Sequence, residues 1–254
     1  MFLLLWAAAA CAPARAGAFL QPPGAGLVIA QFTFSEADRY FDAYGRVTPI
    51  RTWRKFDLST YAEYGLTDAI TIMGSPDWFS FHAPAPTQSR TGAGAQEVGA
   101  RVRLAQWGDN ILSAQASARF LPGGRRAALF SDASHSVQAD VRLLYGRNTT
   151  LFERAAFIDV QMGFRSSGAF GPQARLDMSY GWRVFKRVVL LLQAFSVVTP
   201  GKIGERFALS QKAQASVLYD LTDKITLQIG AMIAPAGVRA PAERAVIAGV
   251  WTQF

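Results

Sequence analysis

The chain has 254 residues, half of them hydrophobic and only 17% charged, with a formal net charge of +8. That length allows one large domain or two small ones, and a content of 18 Phe, 7 Tyr and 6 Trp excludes disorder. The longest apolar run, Phe2 to Ala14, is 13 residues. It falls short of the roughly 20 needed to span a bilayer as a helix, which excludes a helical membrane protein and leaves an all-β or mixed domain or a transmembrane β-barrel.

The basic charge is scattered. Its densest groups are Arg51-Thr-Trp-Arg-Lys55, Arg125-Arg126 and Lys186-Arg187, and the remainder are single Arg residues along apolar segments. Phosphate backbones need a contiguous basic surface, so no nucleic-acid partner is expected.

From the N-terminus, residues 1–18 read MFLLLWAAAACAPARAGA, an apolar stretch followed by small residues. With Ala14-Arg15-Ala16 as an A-x-A cleavage site this predicts a secretory signal over 1–16 and a single mature domain over 17–254. No Lys or Arg precedes the apolar core. The only cysteine, Cys11, lies inside this segment, so a mature chain cut after Ala16 has no thiol. Ala8-Ala9-Ala10-Cys11 is a rival lipoprotein site with an unusually short leader.

Beyond it, two-residue alternation replaces helical periodicity. Twelve strands are predicted, at 26–36, 51–64, 69–81, 95–106, 111–121, 136–145, 152–165, 173–184, 188–198, 206–219, 225–233 and 243–254. In 137–145, Val137, Ala139, Val141, Leu143 and Tyr145 share one face, and Gln138, Asp140 and Arg142 the other. In 174–184, Ala174, Leu176, Met178, Tyr180, Trp182 and Val184 oppose Arg175, Asp177, Ser179, Gly181 and Arg183. Pro76 predicts a bulge or an early strand end, and 188–198 is apolar on both faces. Links after even-numbered strands are short, whereas 37–50, 82–94, 122–135 and 234–242 are longer and richer in Pro, Gly and charge. Short turns at one end and long loops at the other are the pattern of an up-and-down transmembrane barrel.

Two turns are near copies, Tyr64-Gly-Leu-Thr-Asp-Ala-Ile-Thr-Ile72 and Tyr219-Asp-Leu-Thr-Asp-Lys-Ile-Thr-Leu227. The Asp of Thr-Asp is expected to bond its own backbone, and the preceding Tyr, with Tyr145, Tyr180 and Trp182, to form an interfacial girdle. The even strand count, both termini at the short-turn end and the nearly charge-free apolar face place that face in lipid. The chain ends on a strand closing with Phe254.

On these turns and the ending VIAGVWTQF the chain resembles a bacterial outer-membrane β-barrel protein of porin-like or transporter type. The ending is similar to the C-terminal aromatic signal read by the barrel-insertion machinery, departing from it in the polar Thr252. The resemblance implies outer-membrane lipid around the barrel, periplasmic termini and small-solute passage.

With polar faces inward, the lumen carries Lys55, Arg101, Arg103, Arg119, Arg142, Arg165, Arg175, Arg183 and Lys212 against Asp57, Glu63, Glu97, Asp140, Asp159 and Asp177, nine against six. Register through the Trp107–Asn110 turn puts Arg101 opposite Ser117 and Gly99 opposite Arg119. Arg101, Arg103 and Arg119 then form one basic wall that selects anions, while Asp140, Arg142, Asp159, Arg175 and Asp177 shape a constriction. The same charges can instead close the lumen as salt bridges. A closed, partner-binding barrel is the alternative, with the 37–50 and 82–94 loops and a patch of Trp78, Phe79 and Phe81 as its surface. A rim hydrolase would need His82 or His135, but no nucleophile signature accompanies either. No enzyme activity, cofactor or metal site is expected.

Overall fold

A computed structural model describes residues 17–84, 89–121, 137–166, 171–201 and 207–254. The expected leader 1–16, with Cys11, and the 122–135 loop, with His135, lie outside these residues. The strands are β1 Gly26–Phe41, β2 Val47–Thr67, β3 Ile70–His82, β4 Arg90–Trp107, β5 Asn110–Phe120, β6 Val137–Leu151, β7 Arg154–Arg165, β8 Gln173–Phe185, β9 Val188–Thr199, β10 Ala208–Asp220, β11 Ile225–Val238, β12 Ala240–Pro241 and β13 Arg244–Gln253. All pairings between these strands are antiparallel, and β1 pairs with both β2 and β13, which closes twelve long strands into a barrel. β12 is a two-residue addition bridging Tyr40 and Phe41. Closure leaves no sheet edge, the requirement for a β-structure in lipid.

Alternation produced these strands, because a two-residue period assigns every second side chain to the outer surface. Phe32, Leu58, Ile72, Val98, Val141, Met162, Leu176, Val217, Ile229 and Val246 are exposed on the outer surface. Tyr64, Trp107, Phe185, Tyr219 and Phe254 are exposed beside the short turns. Ring contacts tie parts of this girdle together, Trp107 to Tyr145 at 6.5 Å and Phe152 to Trp182 at 5.9 Å.

The short links are shorter than expected. Asp68-Ala69, Gly108-Asp109, Phe152-Glu153 and Lys186-Arg187 each join two strands, and 221–224 joins β10 to β11. The sequence places the sixth turn at 146–151, but β6 runs on to Leu151 because Arg147 to Thr150 pair with Ala155 to Ile158. Similarly, 37–50 is mostly strand. β1 and β2 stay paired up to Phe41 and Val47, and the hairpin tip is held by Asp42, whose Oδ1 accepts the N–H groups of Tyr44 and Arg46 at 2.8 and 2.9 Å. The Arg46 and Tyr44 N–H groups hold this carboxyl below the ordinary carboxylate range. The count of long barrel strands therefore stays even, at twelve.

In the twin turns the Thr hydroxyl, rather than the Asp, caps the backbone. Thr67 Oγ1 accepts from Ala69 N at 3.2 Å, and Thr222 Oγ1 from Lys224 N and Ile225 N at 3.2 and 3.0 Å. Pro76 marks a bulge, with the β3–β4 register shifting between Pro76 and Trp78. A second shift, between Arg103 and Ala105, moves the β4–β5 register so that Arg101 faces Gln115, Gly99 faces Ser117 and Glu97 faces Arg119. The expected Arg101–Ser117 and Gly99–Arg119 pairs do not form, because the turn pairing Trp107 with Asn110 already shifts the register by one residue and the bulge at Leu104 shifts it by a second.

Candidate functional site

Residues 17–25 precede the first strand, and their backbone meets the wall where Gly24 and Ala25 bond Gly65. They form a strap that enters the lumen at the short-turn end. Ala18 is fully buried and Phe19 nearly so. Phe19 packs edge-on against Phe157, ring centroids 6.4 Å apart. Around the two lies an apolar layer of Leu27, Ile29, Ile111, Leu144, Val189, Leu191, Leu218 and Trp251. These side chains face inward, where alternation alone would put polar groups. The signal for them is present as broken alternation, in Leu143-Leu144, Phe157-Ile158, Leu190-Leu191-Leu192 and Val217-Leu218 close to the turns. Below the strap a mouth of about 680 Å³ is lined by Leu20, Pro22, Arg103, Gln106 and Asn110.

The strap is sewn to the wall by polar groups. Arg101 Nη1 donates to the Phe19 carbonyl at 3.1 Å and to Glu63 Oε1 at 2.8 Å. Arg101 Nη2 donates to Tyr61 Oη and Gln115 Oε1, both at 3.0 Å. Glu63 also accepts from Tyr61 Oη and from Gln21 Nε2. Ser113 Oγ donates to the Ala18 carbonyl at 2.8 Å, and Gln21 N donates to Thr71 Oγ1 at 3.0 Å. Asp159, on β7, accepts from Ala18 N and from Gln161 Nε2.

Further along the lumen, toward the long-loop end, charges from β5 to β8 meet. Arg142 Nε bonds Asp140 at 2.8 Å and its Nη1 bonds Asp177 at 2.7 Å. Arg165 bonds Asp140 at 2.9 Å. Arg119 donates to Gln138 at 3.2 Å. Arg175 makes no hydrogen bond or ion pair among the described residues, and its Nε is shielded without a partner.

The eight singled-out residues thus fall into separate groups. Arg101 is buried and ion-paired, Arg103 donates to Gln106 near the mouth, and Arg119 lies across from Glu97, so the three do not make one wall. Asp140, Arg142 and Asp177 are brought together, with Arg175 beside them and Arg165 added. Asp159 belongs to the strap. The charge excess of three also needs correction. Asp77, turned inward at the bulge, Asp220, bonded to Arg183 at 2.7 Å, and Glu243, bonded to Lys212 at 2.5 Å, bring the carboxylates to nine. Both signs occur all round the lumen, with a local imbalance: Asp57, Glu63, Asp77 and Glu97 stand against Lys55, Arg101 and Arg103 on β2 to β4, and Arg119, Arg142, Arg165, Arg175 and Arg183 against Asp140, Asp159 and Asp177 on β5 to β8.

Other expected surfaces separate too. Only Trp78 of the aromatic trio faces outward; Phe79 and Phe81 point inward and pack with Trp53 and Ala37. Odd and even residues of a strand cannot share a face. His82 is exposed at the end of β3, across from Arg54. Among the described residues, no group of three or more His, Cys, Asp or Glu is placed to hold a metal.

No protein-family model matches the sequence, and no curated protein matches it. Solved structures do share its fold. An outer membrane channel of the COG4313 type from Pseudomonas putida F1 superposes with a TM-score of 0.70 at 14% identity, covering 92% of this chain and 97% of that one. The NanC porin superposes with a TM-score of 0.58 at 8% identity, covering 89% and 98%. The translocator domain of the autotransporter NalP from Neisseria meningitidis gives 0.50 at 10% identity, covering 92% and 90%. The chain therefore has the all-β fold of outer-membrane barrels, in the twelve-stranded up-and-down form.

Proposed function

We propose that this chain is an exported outer-membrane pore that passes small polar solutes by diffusion and favours anions. The fold of the neighbouring channel and porin structures and the apolar outer belt support the membrane setting. The A-x-A segment supports cleavage after Ala16, the strand ending at Phe254 supports delivery to the insertion machinery, and the short-turn position of both ends supports periplasmic termini. One observation carries the anion preference. Of the three carboxylates on β5 to β8, Asp140 and Asp177 are already engaged by Arg142 and Arg165 and Asp159 by Ala18 N and Gln161, while Arg175 holds no ion pair of its own among the described residues. A permeating anion supplies the missing charge, and a cation meets repulsion.

Planar-bilayer recording of the mature chain under a KCl gradient tests this reading. Anion-selective openings are expected, and Arg175→Gln is expected to lower the anion-to-cation permeability ratio by roughly twofold or more. A chain that inserts and resists heat in detergent yet stays silent overturns the pore. An unchanged ratio in Arg175→Gln overturns the anionic preference.

A further inference from the structure

Asp159 differs from the other inward carboxylates beside it. It is 1% exposed, yet no Lys or Arg among the described residues lies within ion-pair distance, whereas Glu63, Asp140 and Asp177 each hold an arginine. Its two hydrogen bonds come from neutral donors, Ala18 N and Gln161 Nε2. The charged groups facing it, Arg101 and Asp177, are engaged elsewhere, by Glu63 and Arg142. A buried carboxylate with neutral donors alone lacks the counter-charge that normally offsets its desolvation.

Gly17 lies directly against this carboxylate. A Cβ at position 17 would sit 2.4 Å from Oδ2, 2.5 Å from Cγ and 2.6 Å from Oδ1, and φ is +103°. No side chain fits there. The Gly17 nitrogen shares the same Cα, so it is within about 5 Å of Oδ2 by bond geometry. Position 17 is also the residue that follows Ala14-Arg15-Ala16.

We propose that proteolytic maturation supplies the counter-ion of Asp159: the α-ammonium of Gly17 pairs with the Asp159 carboxylate inside the lumen and latches the strap. Water, delivered by a processing protease, cleaves the Ala16–Gly17 amide. Ala16 takes the hydroxyl and leaves as a carboxylate, and Gly17 keeps the amine, which binds a proton. Before cleavage the same nitrogen is a neutral amide and brings no charge to Asp159. This latch rests on the export reading, through cleavage after Ala16, but not on conductance.

The test uses the full chain, expressed with its leader and purified from membranes. Intact-mass measurement comes first, and a terminus other than Gly17 overturns the proposal while leaving the pore reading standing. The folded protein is then treated with an acylating reagent near neutral pH, where an α-amine outcompetes lysines. Labelling of the Gly17 amine is expected to be at least tenfold slower than in the heat-unfolded chain, and at least fivefold faster in folded Asp159→Asn than in the folded parent. Equal rates in folded and unfolded parent overturn the latch, as do equal rates in parent and Asp159→Asn. Should Asp159→Asn fail to insert, the chain refolded from Gly17 is compared with one carrying an extra N-terminal Ala. Protection lost with the extra residue supports the pair, and protection kept refutes it.

Discussion

Arg101 concentrates the chemistry of the lumen into one side chain. Its guanidinium is 2% exposed and holds a carboxylate, a phenol, an amide and a main-chain carbonyl, contributed by β2, β5 and the strap. Removing it strands the Glu63 carboxylate, which is fully buried at its side chain, and leaves the Phe19 carbonyl without its donor. Breaking a buried pair by deleting one partner typically costs about 3–5 kcal/mol. Arg101→Met is therefore expected to lower the temperature at which the barrel loses its compact gel mobility, and the double variant Arg101→Met/Glu63→Gln to recover part of that loss. A single variant as heat-stable as the parent would show that water replaces the guanidinium. That Arg101 faces inward was legible from alternation. Its partners were not, because they depend on the bulge at Leu104 and on a strap of nine residues that carries no periodicity of its own. Asp220 and Glu243 escaped the charge count for a related reason. They flank turns, where position within the strand no longer states which way a side chain points.

Strands were legible where both faces were chemically distinct, and their ends were not. β6 and β8, with Val, Leu and aromatic residues against Arg and Asp, follow the expected faces, in β8 as far as the register shift between Arg183 and Phe185. β9 reads apolar on both because Val189 and Leu191 join the inner apolar layer while Leu190 and Leu192 face outward. The turn after β6 shows why ends are lost. Phe152 and Glu153 adopt φ of +49° and +60°, a conformation that side chains with a Cβ disfavour and that Asn and Gly supply readily. Nothing in Leu151-Phe-Glu-Arg154 signals such a turn. It is held by the pairing of Leu151 with Arg154 and by the Phe152–Trp182 contact. Replacing the pair by Phe152→Asn/Glu153→Gly relieves the backbone at the cost of that ring contact. The expected result is a gain of about 1 kcal/mol in urea unfolding of the vesicle-inserted barrel, with faster refolding. A loss instead would mean that the girdle contact outweighs the strain.

At the scale of the whole molecule, wall and strap divide the work. The wall alone, twelve strands closed through the β1 pairings with β2 and β13, needs no lumen contents to satisfy its backbone. Its inner face is nonetheless sticky at the short-turn end, where Ile111, Leu144, Phe157, Val189, Leu191, Leu218 and Trp251 would meet water if the strap left. Phe19 and Ala18 cover that layer, held by Arg101 and Ser113, and Thr71 holds Gln21 beyond them. The strap thus fills the core at the short-turn end, and under the proposed pore function it also obstructs a solute moving between the charged mid-lumen and the short-turn mouth. These roles predict opposite responses to its removal, one in stability and one in permeability. Deleting residues 17–25 is expected to raise single-channel conductance severalfold, because the electrolyte then fills the space of nine residues. The same deletion should lower heat resistance, because the apolar layer is hydrated and Asp159 and Glu63 lose donors. Conductance unchanged by the deletion, in a barrel that still inserts, would place the limiting constriction at the Asp140–Arg142–Asp177 cluster instead. Arg142→Ala would then be the variant that opens the pore, since its side chain lies over Gly163 of β7 and ties β6 to β8.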